Sequence, residues 1–261
     1  MTARVVVDGG WEAYRRRSRL GWRRGDPHWA LRDVSLSVPA GECLGVIGGN
    51  GSGKTTLLQV IGGVLRPTRG TVSVDGRLAS LVELSAGFHR DLTGRENVLI
   101  GGVLLGLTRR EVRERLDEVI EFSGLDADTI DAPLAGYSAG MGLRLGFALV
   151  VATRPEVLLV DEVLAVGDDA FQRRCLDRID DLRAAGSSVV FVSHDMAMIR
   201  ARTDTVAVLE RGELAMVGVP DDAVAYHLDR RAVAQPPAAG ERSLFGATAR
   251  ERESRRRRGA Q

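Results

Sequence analysis

Lysine is almost absent from this chain: its 261 residues include 35 arginines and one lysine, Lys54. Long apolar runs are missing too. The longest, Val98 to Leu107, has ten residues, contains glycine and ends at Thr108-Arg109-Arg110, well short of the ~20 residues a membrane-spanning helix needs. Val5-Val6-Val7 is too short for the apolar centre of a signal peptide, so a cytoplasmic chain is expected. Two cysteines, Cys43 and Cys175, make neither a disulfide framework nor a cysteine metal site. There is no internal repeat. With 44% hydrophobic residues the chain can bury a full core, as one large domain of lobed shape.

The formal charge of +1 is the sum of unlike regions: +4 over residues 1–30, −9 over 31–229 and +6 over 230–261. Basic ends around an acidic middle read either as solvated arms or as contacts with nucleic acid or an anionic membrane surface. Pro236-Pro237-Ala238-Ala239-Gly240 and the closing Arg255-Arg256-Arg257-Arg258 fit a flexible tail.

Residues 31–38 alternate apolar and polar side chains as a half-exposed strand does, and Pro39-Ala40-Gly41-Glu42 turns the chain into a buried run at 43–47. Further strands are expected at 71–74 and near 78–82. From 93 to about 152 the periodicity is helical, most strongly amphipathic over 109–122. Buried runs at 157–160 and 188–192 flank a helix near 169–185, which indicates an α/β protein with a parallel sheet. A hairpin over 206–217 and a helix from Pro220 to about Leu228 close the pattern.

The single lysine ends the run Gly48-Gly49-Asn50-Gly51-Ser52-Gly53-Lys54-Thr55, followed by Thr56. This is the G-x-x-x-x-G-K-[ST] phosphate loop, with a strand before it and a helix after it. Its glycines let backbone N–H groups curl around a β-phosphate at a helix N-terminus. Arginine does not replace a compact ammonium in so tight a loop. The run 157–160 ends in Asp161-Glu162. An acid at the carboxyl end of a buried strand lies where α/β sheets bind ligands, so Asp161 suits Mg²⁺, while Glu162 suits the orientation or deprotonation of a water. Alone, the pair would be a common acidic helix N-cap; with the phosphate loop upstream the metal and water reading is favoured. The run 188–192 ends in Ser193-His194-Asp195, where His194 can donate a hydrogen bond to a γ-phosphate or a water; alone it reads as a surface histidine. Tyr137-Ser138-Ala139-Gly140-Met141 puts small residues at a helix N-terminus, a third anion site or a plain cap.

This order and spacing, over residues 31 to about 229, resemble the ATP-binding cassette (ABC) ATPase family. The resemblance implies an α/β phosphate-loop fold: a RecA-like core, an antiparallel β subdomain and a helical signature subdomain at about 93–152. Residues 1–30 are then a variable arginine-rich segment and 230–261 a basic tail. It implies a homodimer in which two ATP molecules lie between one subunit's phosphate loop and the other's signature. Lys54 would hold the β- and γ-phosphates, Thr55 and Asp161 Mg²⁺, and Glu162 would be the base. His194 and Ser138, with Gly140, would contact the γ-phosphate. Trp29-Ala30-Leu31-Arg32-Asp33-Val34-Ser35, Glu83 to Phe88, Leu92 to Asn97, the YSAGM signature and Asp161 to Asp168 are most similar to the branch that exports O antigen or teichoic acid. That branch implies two copies of an integral membrane permease as partner, received at Glu83 to Asn97, with the ATPase on the cytoplasmic face of the membrane.

The pattern departs from the general family in three places. The signature is YSAGM instead of LSGGQ, though its serine and second glycine remain as Ser138 and Gly140. No glutamine occupies the loop that usually senses Mg²⁺, so Glu83 is the candidate there. The adenine-stacking aromatic is displaced by the arginine-rich insertion, leaving Tyr14, Trp22 and Trp29 as candidates. Only about thirty residues follow Leu228, so polymer recognition is expected in the permease. The rival expectation is a soluble ABC ATPase acting on nucleic acid or ribosomes, against which stands the lack of a coiled-coil insertion or a second cassette; no nucleic acid partner is expected.

Overall fold

Two sheets organise the chain in a computed structural model that describes residues 3–14, 28–81, 87–161 and 168–234. One is antiparallel and three-stranded. Its strands β1 (Ala3–Tyr14), β2 (His28–Pro39) and β4 (Arg69–Val74) lie in the order β2-β1-β4. The other contains β3 (Cys43–Gly48), β5 (Leu78–Ser80), β6 (Val157–Val160), β7 (Ser188–Val192), β8 (Thr205–Glu210) and β9 (Glu213–Gly218), in the order β5-β6-β7-β3-β8-β9. Its first five strands in that order are parallel and β9 closes it as an antiparallel hairpin partner of β8. β3, β6 and β7 are buried at every position, as strands covered on both faces must be.

β1 differs from the sequence expectation, which began the strands at Leu31. It is the middle strand of its sheet. Val5 and Val7 are buried in strand alternation, but Gly9-Gly10 interrupt the register against β2. Beyond the interruption a carboxylate faces inward: buried Glu12 accepts hydrogen bonds from the Thr68 N–H at 3.1 Å and its hydroxyl at 3.0 Å. A diglycine kink and an inward acid together conceal the period of two.

Alternation along the parallel strands feeds two cores. Leu44 and Val46 pack with Leu57, Leu58, Val60 and Ile61 of α1 (Lys54–Ile61) and with β1 and β2. Cys43 and Ile47 face the opposite side, packed with Phe171, Cys175 and Ile179 of α6 (Asp169–Ala184) and Ala223 and Val224 of the last helix, α8 (Pro220–Ala234). Burying each such Leu or Ile side chain stabilises the fold by about 1.5–3 kcal/mol. Burial also pushes both free thiols, Cys43 and Cys175, up to about 12, so neither is a thiolate near neutral pH.

Between β5 and β6 the described residues hold α2 (Gly94–Leu104), α3 (Arg109–Ser123), the short α4 (Ala127–Ile130) and α5 (Ala139–Ala152). Thr93 with Glu96 and Thr108 with Glu111 form capping boxes that start α2 and α3, each worth about 1 kcal/mol. α5 joins this region to the core. Its Phe147, Val150 and Val151 enter the α6 cluster, while Leu145, Ala148, Leu149 and Ala152 pack with Val98, Val112 and Val119 of α2 and α3. Among the described residues no helix is long and apolar enough to cross a membrane.

Candidate functional site

β3 delivers the chain into the glycine loop at the middle of the parallel sheet. The loop closes on itself through Ser52 N–H donating to the Gly49 carbonyl at 3.1 Å, and Gly212 N–H donates to the Ser52 carbonyl at 2.9 Å from the β8–β9 turn. At two positions only glycine fits. A Cβ on Gly48 would lie 2.3 Å from the Leu209 carbonyl oxygen, and one on Gly53, where φ is 109°, 2.6 Å from that of Ala30. By contrast a Cβ on Gly49 or Gly51 would meet nothing within 4 Å, although Gly51 itself has a φ of 75°.

Lys54 opens α1 and is only 7% exposed. Its ammonium donates to the Gly48 carbonyl at 3.0 Å and the Gly49 carbonyl at 3.3 Å, which folds it back over the loop. The Ser52 hydroxyl is buried without a hydrogen-bond partner among the described residues, and no acid occupies the first turn of α1. A positive helix end, an ammonium and an unfilled hydroxyl fit a polyphosphate.

The neighbouring strands end level with this loop. Val160 pairs with Phe191 and Val46 with Val192, so Asp161, Ser193 and Ile47 reach the same edge of the sheet. Asp161 is half-buried and His194 exposed there. Asp195 caps α7 (Met196–Arg202), accepting from the Ala197 and Met198 N–H groups at 2.9 and 3.1 Å, which turns the chain directly after His194. Thr55 is exposed beside Lys54, and Thr56 is buried in α1. Among the described residues no three His, Cys, Asp or Glu side chains group as a metal cage. Thr55 and Asp161 are the residues that could hold a divalent ion there, and their oxygen donors suit Mg²⁺. Glu162 lies outside the described residues.

Ser138 caps α5, its hydroxyl accepting from Met141 N–H at 3.2 Å, and is exposed. A Cβ on Gly140 would meet only the Ser138 hydroxyl, at 4.0 Å, and one on Gly142 nothing within 4 Å. Nothing among the described residues demands these glycines, unlike Gly48 and Gly53. Small residues here leave room for something from outside.

Beside the loop, half-buried Trp29 meets Trp11 edge-on, ring centroids 5.2 Å apart and planes at 80°. Arg69 lies over both, 6.0 Å from the Trp11 centroid and 5.7 Å from that of Trp29. Trp11 and Arg69 were not singled out by sequence, because their meeting depends on β1 and β4 pairing. Trp22, Glu83 and the Tyr14 side chain lie outside the described residues.

Asn97 also went unnoticed as an organiser. It is buried, its amide nitrogen donating to the carbonyls of His89, Leu92 and Thr93 at 3.0, 3.2 and 2.9 Å, and its oxygen accepting from His89 N–H at 2.7 Å. Asn97→Ala is expected to destabilise the chain by about 2–3 kcal/mol by stripping these partners. Scanning calorimetry should show the midpoint lowered by roughly 5–10 °C.

A parallel sheet in which an inner strand opens into a glycine loop, with a histidine following the strand beside it and an acid following the next strand out, defines a phosphate-loop nucleotide-binding protein. The chain belongs to the ABC transporter family, which it matches over residues 31–165. The O-antigen export system ATP-binding protein RfbB of Klebsiella pneumoniae is 46% identical over 195 residues, 75% of this chain and 79% of that one. Its namesake in Myxococcus xanthus is 42% identical over 80% of this chain, and the teichoic acids export ATP-binding protein TagH of Levilactobacillus brevis 40% over 77%. The chain spans about half the length of those two, 48% and 55%. The fold is that of a solved ATP-binding subunit of an ABC transporter (TM-score 0.73, 23% identity, 89% of this chain and 99% of that one). It is also that of a dimeric cassette solved with ADP and Pi (TM-score 0.69, 22% identity, 83% and 98%).

Proposed function

We propose that this chain is the ATP-hydrolysing subunit of an exporter of a lipid-linked polysaccharide or polyol-phosphate polymer, seated on the cytoplasmic face of a separate membrane permease. The convergence of Lys54, Asp161 and His194 at one edge of the parallel sheet carries the ATPase part. The polymer and the permease are carried by likeness to O-antigen and teichoic acid relatives. Lys54 and the loop N–H groups hold the β- and γ-phosphates. Thr55 and Asp161 would hold Mg²⁺, which would supply charge neutralisation at the phosphates. Glu162 takes the proton of the attacking water, and His194 donates to the γ-phosphate. Residues 93–152 form the signature subdomain; Ser138 and Gly140 of one copy meet the ATP held by a second copy.

Purified chain should release phosphate from ATP only with Mg²⁺, and should co-purify with a permease encoded beside glycan-synthesis genes. A chain with no ATPase activity that binds nucleic acid salt-sensitively would sink the proposal. Gly140→Val tests the composite site. Space around Gly140 is open and valine is the better helix former, so folding and ATP binding by the single subunit should be unchanged. Hydrolysis should fall about tenfold or more if a second copy's nucleotide must approach that surface. Equal rates for Gly140→Val and wild type would remove the partner contact.

A further inference from the structure

α5 is built like a cantilever. Its last eight residues, Leu145–Ala152, are all buried, whereas none of Ala139–Leu143 is. Ser138 and Gly140 ride on the free end. Arg144 stands at the root, on the last partly exposed position before the buried run.

Two contacts fix that root to the sheet side of the molecule. The Arg144 guanidinium donates to Asp168 Oδ2 at 2.6 Å and stacks over Phe171, 5.2 Å from its centroid. Asp168 is itself held, because it caps α6 and accepts from Phe171 N–H at 2.8 Å. The bond from Phe171 N–H first, and the Arg144 charge after it, hold the Asp168 carboxyl below the usual aspartate range, so the pair is ionised at neutral pH. Phe171 is buried against Phe147 of α5 and Phe122 of α3, and Arg174 covers it too, at 5.2 Å. The anchor thus belongs to three helices at once.

Stability does not account for this arrangement. The side chains of Arg144 and Asp168 are 28% and 60% exposed, and ion pairs so placed contribute little to folding. What a short, charge-assisted bond combined with a stack does supply is direction. Ser138 lies six residues from the root, ~9 Å along the axis, so a tilt of ~15° displaces it by ~2 Å. A shift of ~1 Å is already enough to cost an active site roughly 10²-fold.

We propose that Arg144 is a positioning residue, whose pair with Asp168 and stack on Phe171 aim the signature end of α5 at the ATP of the opposing subunit. The inference rests on the reading of Ser138 and Gly140 as partner-facing.

Full-length Arg144→Met tests it, with Arg144→Lys and Ser138→Arg alongside. Three quantities are measured: ATP affinity of the single subunit, ATP-dependent dimerisation by analytical ultracentrifugation in a Glu162→Gln background, and steady-state hydrolysis. Arg144→Met should keep its melting temperature and its ATP affinity, yet lose roughly tenfold or more in dimerisation and in kcat. Arg144→Lys, which restores the charge without the planar fork, should recover part of both. Adding Asp168→Asn to Arg144→Met should deepen neither loss, since both act through one contact. Wild-type dimerisation and hydrolysis by Arg144→Met would overturn the inference. So would a fall in melting temperature matched by lost ATP binding, the mark of a purely structural tie. If Ser138→Arg dimerises normally, the partner-facing reading itself is wrong; if Ser138→Arg fails to dimerise while Arg144→Met succeeds, the aim of α5 alone is wrong.

Discussion

Lys54→Arg should lower Mg²⁺-dependent ATP hydrolysis by roughly 10²-fold or more, although every other basic residue of the chain is already arginine. The reason is room. The Lys54 side chain is 7% exposed, and its ammonium sits 3.0 Å from the Gly48 carbonyl and 3.3 Å from that of Gly49. Gly48 is walled by the Leu209 carbonyl and the Ser52 hydroxyl so closely that a Cβ would come within 2.3 and 2.5 Å of them. An ammonium can turn its three donors from these carbonyls to a phosphate by rotating one bond. A guanidinium is planar, wider and needs a fork of acceptors in its own plane. In this loop it must stand off from the phosphates or push the loop open. Phosphate release and ATP titration measure the effect, with a melting curve to show that the chain still folds. Hydrolysis within a few-fold of wild type would mean that the lysine is kept for some reason other than phosphate contact.

Local patterning revealed the parts of the fold whose environment is uniform. β3, β6 and β7 are apolar throughout because both faces are covered, and the ends of these strands carry the residues that meet at the site. The helices over 93–152 were legible from their apolar periodicity, whereas the capping boxes that start α2 and α3 were not singled out. β1 was hidden, because its period is broken by Gly9-Gly10 and its buried Glu12 is satisfied by Thr68, 56 residues away. The last helix runs past the expected Leu228 to Ala234. The first residues added, Asp229-Arg230-Arg231, are charged, and part of their support comes from outside the helix: Arg230 pairs with Glu210 of β8 at 3.5 Å. The Arg144–Asp168 pair and the Trp11, Trp29 and Arg69 cluster are tertiary in the same sense. Each joins residues far apart in sequence, so no periodicity marks their meeting. Gly140 was visible only as a small residue at a helix start; the space around it is open among the described residues.

At Glu162 the expected loss is as large as at Lys54 but of a different kind. Asp161 ends β6 at the edge where β3 and β7 also end, and Glu162 is the next residue along. In the proposed mechanism Asp161 carries the metal and Glu162 the proton. Glu162→Gln preserves the size of the side chain and one acceptor oxygen but removes its capacity to take a proton. Hydrolysis should therefore fall by about 10²–10⁴-fold, the usual share of a general base, with ATP affinity close to wild type. Because the two subunits would then have no means of clearing the nucleotide between them, ATP should leave Glu162→Gln as a lasting dimer in the ultracentrifuge. Asp161→Asn should behave otherwise, weakening Mg²⁺-dependent nucleotide binding before any effect on the chemical step is read. The pair of variants thus separates two neighbouring carboxylates by readout as well as by rate. Should Glu162→Gln turn over ATP at nearly the wild-type rate, the base must be sought at the end of β7. His194→Ala would then abolish turnover.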